Sequence, residues 1–168
     1  NLYQGWAHKR NSSLLNYRES YLLTAGIGMA YYKYEQGNVP EANRIIFDVI
    51  DLLLRQLRET WYRTVIDYET PLWFAGATIS KFEGTMKDRF IQLIGEEVDS
   101  IKLYMRVVFE TLFNAPAMDL LPATRVTIEN RIKNEFFIIE SSKTDVELRG
   151  EFVYYKEIRE KILKMISS

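Results

Sequence analysis

The sequence contains no cysteine and a single histidine, His8, among its 168 residues. Without cysteine the chain can form no disulfide framework, no thiolate zinc site, no iron–sulfur cluster and no cysteine nucleophile. One imidazole is too few for the multi-histidine metal sites of helical proteins. We therefore expect no metal, no cofactor and no recognisable catalytic residues, and we interpret His8 as a surface residue.

Glycine and proline are also scarce. The chain has 8 Gly and 4 Pro, together about 7% of its residues against roughly 12% in average proteins. A β-sandwich or barrel needs a turn about every 8–12 residues, and so few turn-forming residues cannot supply them. The composition therefore predicts an all-α fold built from long helices.

Charge of neither sign dominates. Lys and Arg number 22 and Asp and Glu 23, a net charge of −1, and the two signs are mixed along the chain without the basic patch that nucleic-acid binding requires. The longest uncharged stretch, Ser20–Tyr32, is shorter than the roughly 20 apolar residues that cross a bilayer. These patterns predict no nucleic-acid partner, no membrane span in this chain and a cytoplasmic location, although a neighbouring segment of a parent protein could be membrane-bound.

The first residues resemble a protease site rather than part of a fold. Asn-Leu-Tyr-Gln-Gly at residues 1–5 matches the tobacco etch virus protease site, Glu-Asn-Leu-Tyr-Phe-Gln-Gly, without its Phe. We interpret residues 1–5 as a candidate cloning remnant, residues 1–11 as a flexible N-terminus and residues 12–168 as a single helical domain. The chain looks like a piece of a longer protein.

Apolar residues recur at spacings of three and four along most of the chain, which is the pattern of amphipathic helices. Turn residues divide this pattern at five places, Gly37, Pro71, Gly84, Pro116 and Pro122. The predicted helices cover residues 12–36, 39–69, 72–82, 85–114, 122–140 and from 144 onward. We therefore predict an irregular bundle of four to six helices, two of which contain about 30 residues each.

The segment 136–148 has two interpretations. Phe136-Phe-Ile-Ile has the composition of a short strand, and Ser141-Ser-Lys could turn the chain into a second strand at Val146–Leu148. A helix restart is the alternative, because Thr144-Asp-Val-Glu is a capping box. We prefer the helix and keep a short β-hairpin as the minor possibility.

The first predicted helix combines aromatic and small residues. Its predicted apolar face consists of Leu14, Tyr17, Tyr21, Leu22, Ala25, Met29 and Tyr32. We expect Ala25, Gly26 and Gly28 to let another helix approach closely. Gly26-Ile-Gly28 is not a dinucleotide fingerprint, because it lies inside a helix and Tyr31 stands where the third glycine is needed.

The second predicted helix has one row of charged residues and is otherwise apolar around its circumference. The row consists of Arg44, Asp48, Asp51, Arg55 and Arg58, at steps of four and three. We interpret it as a solvated row of ion pairs. Because the rest of the circumference is apolar, we expect this helix at the centre of the domain or at an oligomer contact.

The turn between these two helices resembles that of a tetratricopeptide repeat. The resemblance rests on Ala30-Tyr-Tyr-Lys, Gln36-Gly-Asn and Glu41-Ala, followed by Ile46 and Val49. No second copy follows at the 34-residue period of that family. The resemblance implies a helical hairpin with a protein-binding role rather than a repeat array.

Four aromatic residues surround the Pro71 turn: Trp61, Tyr62, Trp73 and Phe74. We interpret them as packed core that fixes the angle between two helices, with a site for a ligand or partner as the alternative. The acidic cluster Glu96, Glu97 and Asp99 is interpreted as a solvated face, because the chain lacks the Glu-x-x-His motif of a carboxylate metal site.

No phosphate loop, nucleophile elbow or kinase signature is present in the sequence. We therefore predict a non-catalytic protein-interaction, scaffolding or regulatory module, with a protein partner or a second copy of itself. The alternative is a helical sensor domain that binds an apolar or aromatic small molecule between helices. An enzyme without a recognisable motif is the third hypothesis.

Overall fold

The structure, a computed structural model, describes residues 13–58, 69–82, 85–113, 120–136 and 146–167. These residues form seven α-helices: α1 (Ser13–Glu35), α2 (Val39–Arg58), α3 (Glu69–Ile79), α4 (Met86–Glu97), α5 (Ile101–Phe113), α6 (Pro122–Glu135) and α7 (Val146–Ser167). The described ranges contain no strand, which confirms the all-α prediction. The chain divides into two compact units, Asn1–Thr78 and Ile79–Ser168. The prediction of a single domain over 12–168 stays a prediction. The predicted flexible N-terminus, residues 1–11, and its surface residue His8 lie outside the described residues.

The predicted number and length of the helices are wrong. The described residues form seven helices rather than four to six, and the longest of them, α1, has 23 residues rather than about 30. Of the helix expected over 39–69, α2 is described up to Arg58 and α3 begins at Glu69, while residues 59–68 lie outside the described residues. The helix expected over 85–114 is two helices, α4 and α5.

In the first unit, α1 and α2 form an antiparallel hairpin through a tight turn, as predicted. Gly37 has a φ of +81°, a left-handed conformation that ends α1. The Gly37 amide donates to the Tyr34 carbonyl (2.9 Å) and the Asn38 amide donates to the Lys33 carbonyl (3.0 Å), which is the Schellman arrangement. Asn38 then caps α2, because its side-chain oxygen accepts a hydrogen bond from the Glu41 amide (3.4 Å).

The α1–α2 hairpin is held together by apolar contact on one face of each helix. The buried residues are Leu23, Ile27 and Ala30 on α1 and Ala42, Ile46, Val49, Ile50, Leu53 and Leu54 on α2. The predicted charged row lies on the exposed side of α2, where Arg44 pairs with Glu41 (2.6 Å) and Asp48 (3.0 Å), and Arg55 pairs with Asp51 (2.7 Å). The solvated ion-pair interpretation is therefore confirmed for these residues.

In the second unit, the apolar periodicity of the predicted third helix is correct although its continuity is not. The stripe that this spacing predicts consists of Met86, Phe90, Ile94, Val98, Ile101, Met105, Val108 and Leu112. All of these residues are buried except Met86, which is half-buried. The helix is interrupted at Val98, whose φ of −104° and ψ of 108° are extended. Ser100 caps α5, since its side-chain oxygen accepts from the Leu103 amide (3.3 Å) and its carbonyl accepts from the Tyr104 amide (2.9 Å). The interruption itself contains neither Gly nor Pro, and the nearest glycine, Gly95, lies in the last turn of α4.

The second strand of the β-hairpin predicted near 136–148 does not form. Residues 137–145 lie outside the described residues, and Val146–Leu148, the expected second strand, belongs to α7. The preferred helix is therefore correct from Val146 onward. Ile158, Ile162 and Ile166 form its buried face.

Two cation–π contacts show the direction of α7 relative to α5. Lys102 lies over the Tyr155 ring (5.8 Å) and Lys161 lies over the Phe109 ring (6.0 Å). The residue nearer the start of α5 contacts the residue nearer the start of α7, and the later residue of α5 contacts the later residue of α7. The two helices therefore run in the same direction. Arg125 donates to the Ile166 carbonyl (3.1 Å), so the start of α6 contacts the end of α7.

Candidate functional site

One face of α1 is apolar and exposed. It consists of Tyr21, Ala25, Gly28, Met29 and Tyr32, which we call the exposed α1 face. Tyr21 is 72% exposed, Met29 51% and Tyr32 57%. These positions recur at spacings of three and four, so they lie on one side of the helix.

The exposed α1 face is opposite the face that packs on α2. Leu23, Ile27 and Ala30 are buried, while Tyr21, Ala25, Met29 and Tyr32 of the predicted apolar face are exposed. Periodicity could not choose between the two, because α1 is apolar around most of its circumference. The hairpin with α2 covers one side of α1 and leaves the other side uncovered.

The exposed α1 face contains no charged residue between Tyr21 and Tyr32. Charged residues lie beyond both ends of the face in the sequence, at positions 18, 19, 33 and 35. At the C-terminal end, the Tyr31 hydroxyl donates to Glu35, and the carboxylate raises the pKa of Tyr31. Gln36 donates to the Tyr32 hydroxyl (2.7 Å). The surface is therefore apolar at its centre, with polar groups beyond it.

The predicted small-residue contact falls partly on this face. Ala25 and Gly28 are exposed, whereas Gly26 is buried. Apart from its neighbours in the chain and the backbone of α1, no atom lies within 4 Å of the position that a Gly28 Cβ would occupy. Close approach of another helix at Ala25, Gly26 and Gly28 stays a prediction, and the open space over Gly28 leaves room for it.

The predicted aromatic site is only partly described. Trp73 and Phe74 lie half-buried on α3, next to the buried Leu72 and Ala75. Trp61 and Tyr62 lie outside the described residues. A ligand or partner site formed by these four aromatic residues stays a prediction.

The second unit contains two long-range contacts between α4 and α6 that the sequence did not reveal. Near the start of α4, Asp88 is buried, and its Oδ1 accepts from the Leu121 amide (2.9 Å) and the Thr124 hydroxyl (2.6 Å). Leu121 is the residue before α6 and has no side-chain cap of its own. Asp88 therefore supplies the N-terminal cap of α6, where a carboxylate also complements the helix dipole.

At the other end of the pair, Arg131 of α6 caps α4. It donates to the carbonyls of Gly95 (2.9 Å), Val98 and Asp99 (3.3 Å). These are carbonyls that lose their helical partners where the chain is interrupted after α4. The start of α4 contacts the start of α6, and the end of α4 contacts the end of α6. The two helices are therefore parallel neighbours.

Arg131 also covers the ring of a buried tyrosine. Its guanidinium lies 4.2 Å from the centre of the Tyr104 ring, and its side chain is only 12% exposed. The Tyr104 hydroxyl is buried without a hydrogen-bond partner. Burial raises the pKa of Tyr104 to about 12, with the positive charge of Arg131 acting in the opposite direction.

A groove of about 380 Å³ runs between α4 and α6. It is lined by Ile91, Gln92, Gly95 and Glu96 on α4 and by Ala123, Thr124, Thr127 and Arg131 on α6. The hydroxyls of Thr124 and Thr127 and the guanidinium of Arg131 already donate hydrogen bonds within the protein. The groove is therefore a space between two packed helices, and these three side chains already have hydrogen-bond acceptors within the protein.

The described residues offer no cluster of three or more Asp, Glu or His side chains that could hold a metal ion. Glu96 and Asp99 of the acidic cluster are exposed. Within the same ranges, no helix has the length and apolar character that crossing a membrane requires.

Comparison with known proteins gives no relative. No family model matches the chain, and no curated protein or solved structure is significantly similar to it.

Proposed function

We propose that this chain is a non-catalytic protein-interaction module whose docking surface is the exposed α1 face. The observation that supports the proposal is the exposure of Tyr21, Met29 and Tyr32 together on one side of a helix whose other side is packed. Single exposed apolar residues are ordinary, but contiguous ones mark interaction sites.

The size of the exposed α1 face supports the same proposal. With about 200 Å² for each fully exposed large side chain, the exposed parts of Tyr21, Met29 and Tyr32 amount to about 350 Å². That area is in the range of the largest apolar patch on a typical monomer, which is often functional. Tyrosine also favours interfaces because it combines a large apolar ring with a polar end.

Photo-cross-linking tests the proposal in the complete natural protein. A benzophenone amino acid at Met29 should cross-link to a defined residue of a protein that mass spectrometry identifies. The same probe at Val126, which is 54% exposed on α6, is the matched control. The double substitution Tyr21→Glu and Tyr32→Glu should abolish the Met29 cross-link, and the purified partner should reproduce it.

Equal labelling from Met29 and Val126 would contradict the proposal, because the exposed α1 face would then be no more adhesive than ordinary surface. The Glu variants should keep the circular dichroism of the parent protein, since Tyr21 and Tyr32 make little buried contact.

A further inference from the structure

We infer that the partner of the exposed α1 face is a second copy of this chain, which binds through its own α1 in antiparallel orientation about a twofold axis. This inference rests on the proposed function, because it names the partner of the same surface. Three properties of the exposed α1 face favour it: the spacing of its residues, the small residues at its centre and its area.

The spacing of the exposed α1 face is the same in both directions along the helix. Tyr21 and Ala25 are four residues apart, Ala25 and Gly28 are three apart, and Gly28 and Tyr32 are four apart. Reversing the helix exchanges the two tyrosines and exchanges Ala25 with Gly28. A twofold interface between identical chains requires a self-complementary surface, and this reversal symmetry provides one.

In an antiparallel pair, Tyr21 of one copy lies opposite Tyr32 of the other, and Ala25 lies opposite Gly28. The two small residues at the centre let the helix axes approach to about 8 Å, the short end of the usual range. The space over Gly28 is open, because only its chain neighbours and the backbone of α1 lie within 4 Å of its Cβ position. The tyrosine rings then close the two ends of the seam, and Met29 covers its edge.

The exposed area predicts a weak dimer. Two copies of the apolar patch bury about 700 Å² in total. That is below the roughly 1,000 Å² of a stable specific interface and in the range of weak, transient complexes. We therefore expect a reversible monomer–dimer equilibrium with a dissociation constant on the order of micromolar.

Charge is compatible with pairing of two copies. Because no charged residue lies on the face between Tyr21 and Tyr32, the twofold arrangement places no like charges opposite each other. A helix that lies on an anionic membrane carries Lys or Arg on its polar side, beside the apolar face that enters the lipid. The absence of such residues between positions 21 and 32 favours a second copy over a lipid surface.

Sedimentation equilibrium of the full chain tests the dimer. Gly28→Leu adds apolar surface but blocks the close approach, so it should weaken dimerisation by at least about tenfold. Non-specific adhesion of an apolar patch would instead become stronger with the added leucine. Tyr21→Glu should also weaken the dimer, whereas Val126→Glu, on a comparably exposed position of α6, should not. Urea unfolding establishes whether each variant is folded. If Gly28→Leu does not fold, the effect of Tyr21→Glu on the dimer decides whether the inference holds.

Disulfide trapping tests the orientation, since the chain has no cysteine of its own. A mixture of an Ala25→Cys chain and an isotope-labelled Gly28→Cys chain should oxidise mainly to the mixed disulfide. A parallel pair would bring each position opposite itself and would give two homodisulfides instead. Predominance of the homodisulfides would overturn the antiparallel arrangement.

Failure of this inference is distinguishable from failure of the proposed function. A protein that stays monomeric up to hundreds of micromolar overturns the inference. In that case, a Met29 cross-link to a different identified protein leaves the proposed function standing. Binding to phosphatidylcholine or phosphatidylserine vesicles, lost in Tyr21→Glu, would instead replace both with a membrane-docking role.

Discussion

The α1–α2 hairpin and the α4–α6 pair stabilise their helix ends in different ways. In the hairpin, Gly37 and Asn38 satisfy the backbone groups of the two helices that they themselves connect. In the second unit, Asp88 caps a helix whose N-cap residue, Leu121, lies 33 residues later, and Arg131 caps one that ends more than 30 residues earlier. The hairpin therefore has local caps, whereas α4 and α6 have caps that exist only when the two helices are packed together.

This difference has an energetic consequence. A local cap stabilises its helix whether or not the rest of the unit is folded, because cap and helix are adjacent in the chain. A distant cap contributes nothing until the tertiary structure has formed, so it adds to the cooperativity of folding. We therefore expect distant-cap variants to cost more than local-cap variants, and the following substitutions compare the two.

The largest loss is expected for Arg131→Ala in the second unit. The substitution removes hydrogen bonds to the carbonyls of Gly95, Val98 and Asp99 and the contact with the Tyr104 ring. The unfolding free energy should fall by about 3 kcal/mol in urea denaturation. Arg131→Lys should recover little of it, because an ammonium cannot reproduce the planar fork.

Lys133→Ala is the control for Arg131, because it removes a neighbouring exposed ion pair with Glu129 and should change the unfolding midpoint little. If Arg131→Ala were as mild as this control, the distant cap would carry no stability and the contrast between the units would fail.

The next largest loss is expected for Asp88→Ala, at about 2 kcal/mol. The substitution leaves the Leu121 amide and the Thr124 hydroxyl without their acceptor inside the protein. Asp88→Asn keeps an acceptor oxygen but loses the charge at the helix end, so it should cost about half as much. Hydrogen exchange should show the Leu121 amide becoming unprotected first. Asp48→Ala, on the exposed row of α2, should lack both effects.

A smaller loss is expected for the local cap. Gly37→Ala places an alanine at a φ of +81° and should cost about 1 kcal/mol. Gly28→Ala should have the opposite sign and stabilise by up to about 1 kcal/mol, because Gly28 is inside a helix with open space around it. A loss at Gly37 that exceeded the loss at Arg131 would reverse the proposed order of the two units.

The smallest effect at neutral pH is expected for Tyr104→Phe, within about 0.5 kcal/mol of the parent, because the hydroxyl has no partner to lose. At high pH the two proteins should differ. The pKa of Tyr104 is raised to about 12 in the folded state, so the unfolded chain loses this proton first, near pH 10. The stability of the parent protein should therefore fall between about pH 10 and 12, and Tyr104→Phe should lack that part of the decline. Identical pH profiles for the two proteins would contradict this.

Much of the fold was predictable from local signals. The scarcity of Gly and Pro predicted helices, and Gly37-Asn38 predicted the first turn together with its cap. The charged row of α2 and the start of α6 at Pro122 also followed from spacing and residue type. These features depend on residues within about five positions of each other, which is why the sequence is sufficient for them.

The candidate site was only partly predictable. Small residues at positions 25–28 indicated a helix contact, but the periodicity of α1 could not tell its packed face from its exposed one. The interruption after Val98 was missed because no Gly or Pro lies at it, and Gly95, three residues earlier, is compatible with a continuous helix. Ser100, a favourable capping residue ahead of Ile101, was a further local signal that could have indicated it.

By itself, therefore, the sequence determined the helical class, the first hairpin, the buried stripe of α4 and α5 and the lack of thiol or multi-histidine chemistry. The tertiary structure alone decided which side of α1 is uncovered, because that depends on where α2 packs. It also decided where α4 ends, because the carbonyls left free after Gly95 are satisfied by Arg131 from another helix. Local sequence can specify a helix, but only packing specifies which of its surfaces remains available for a partner.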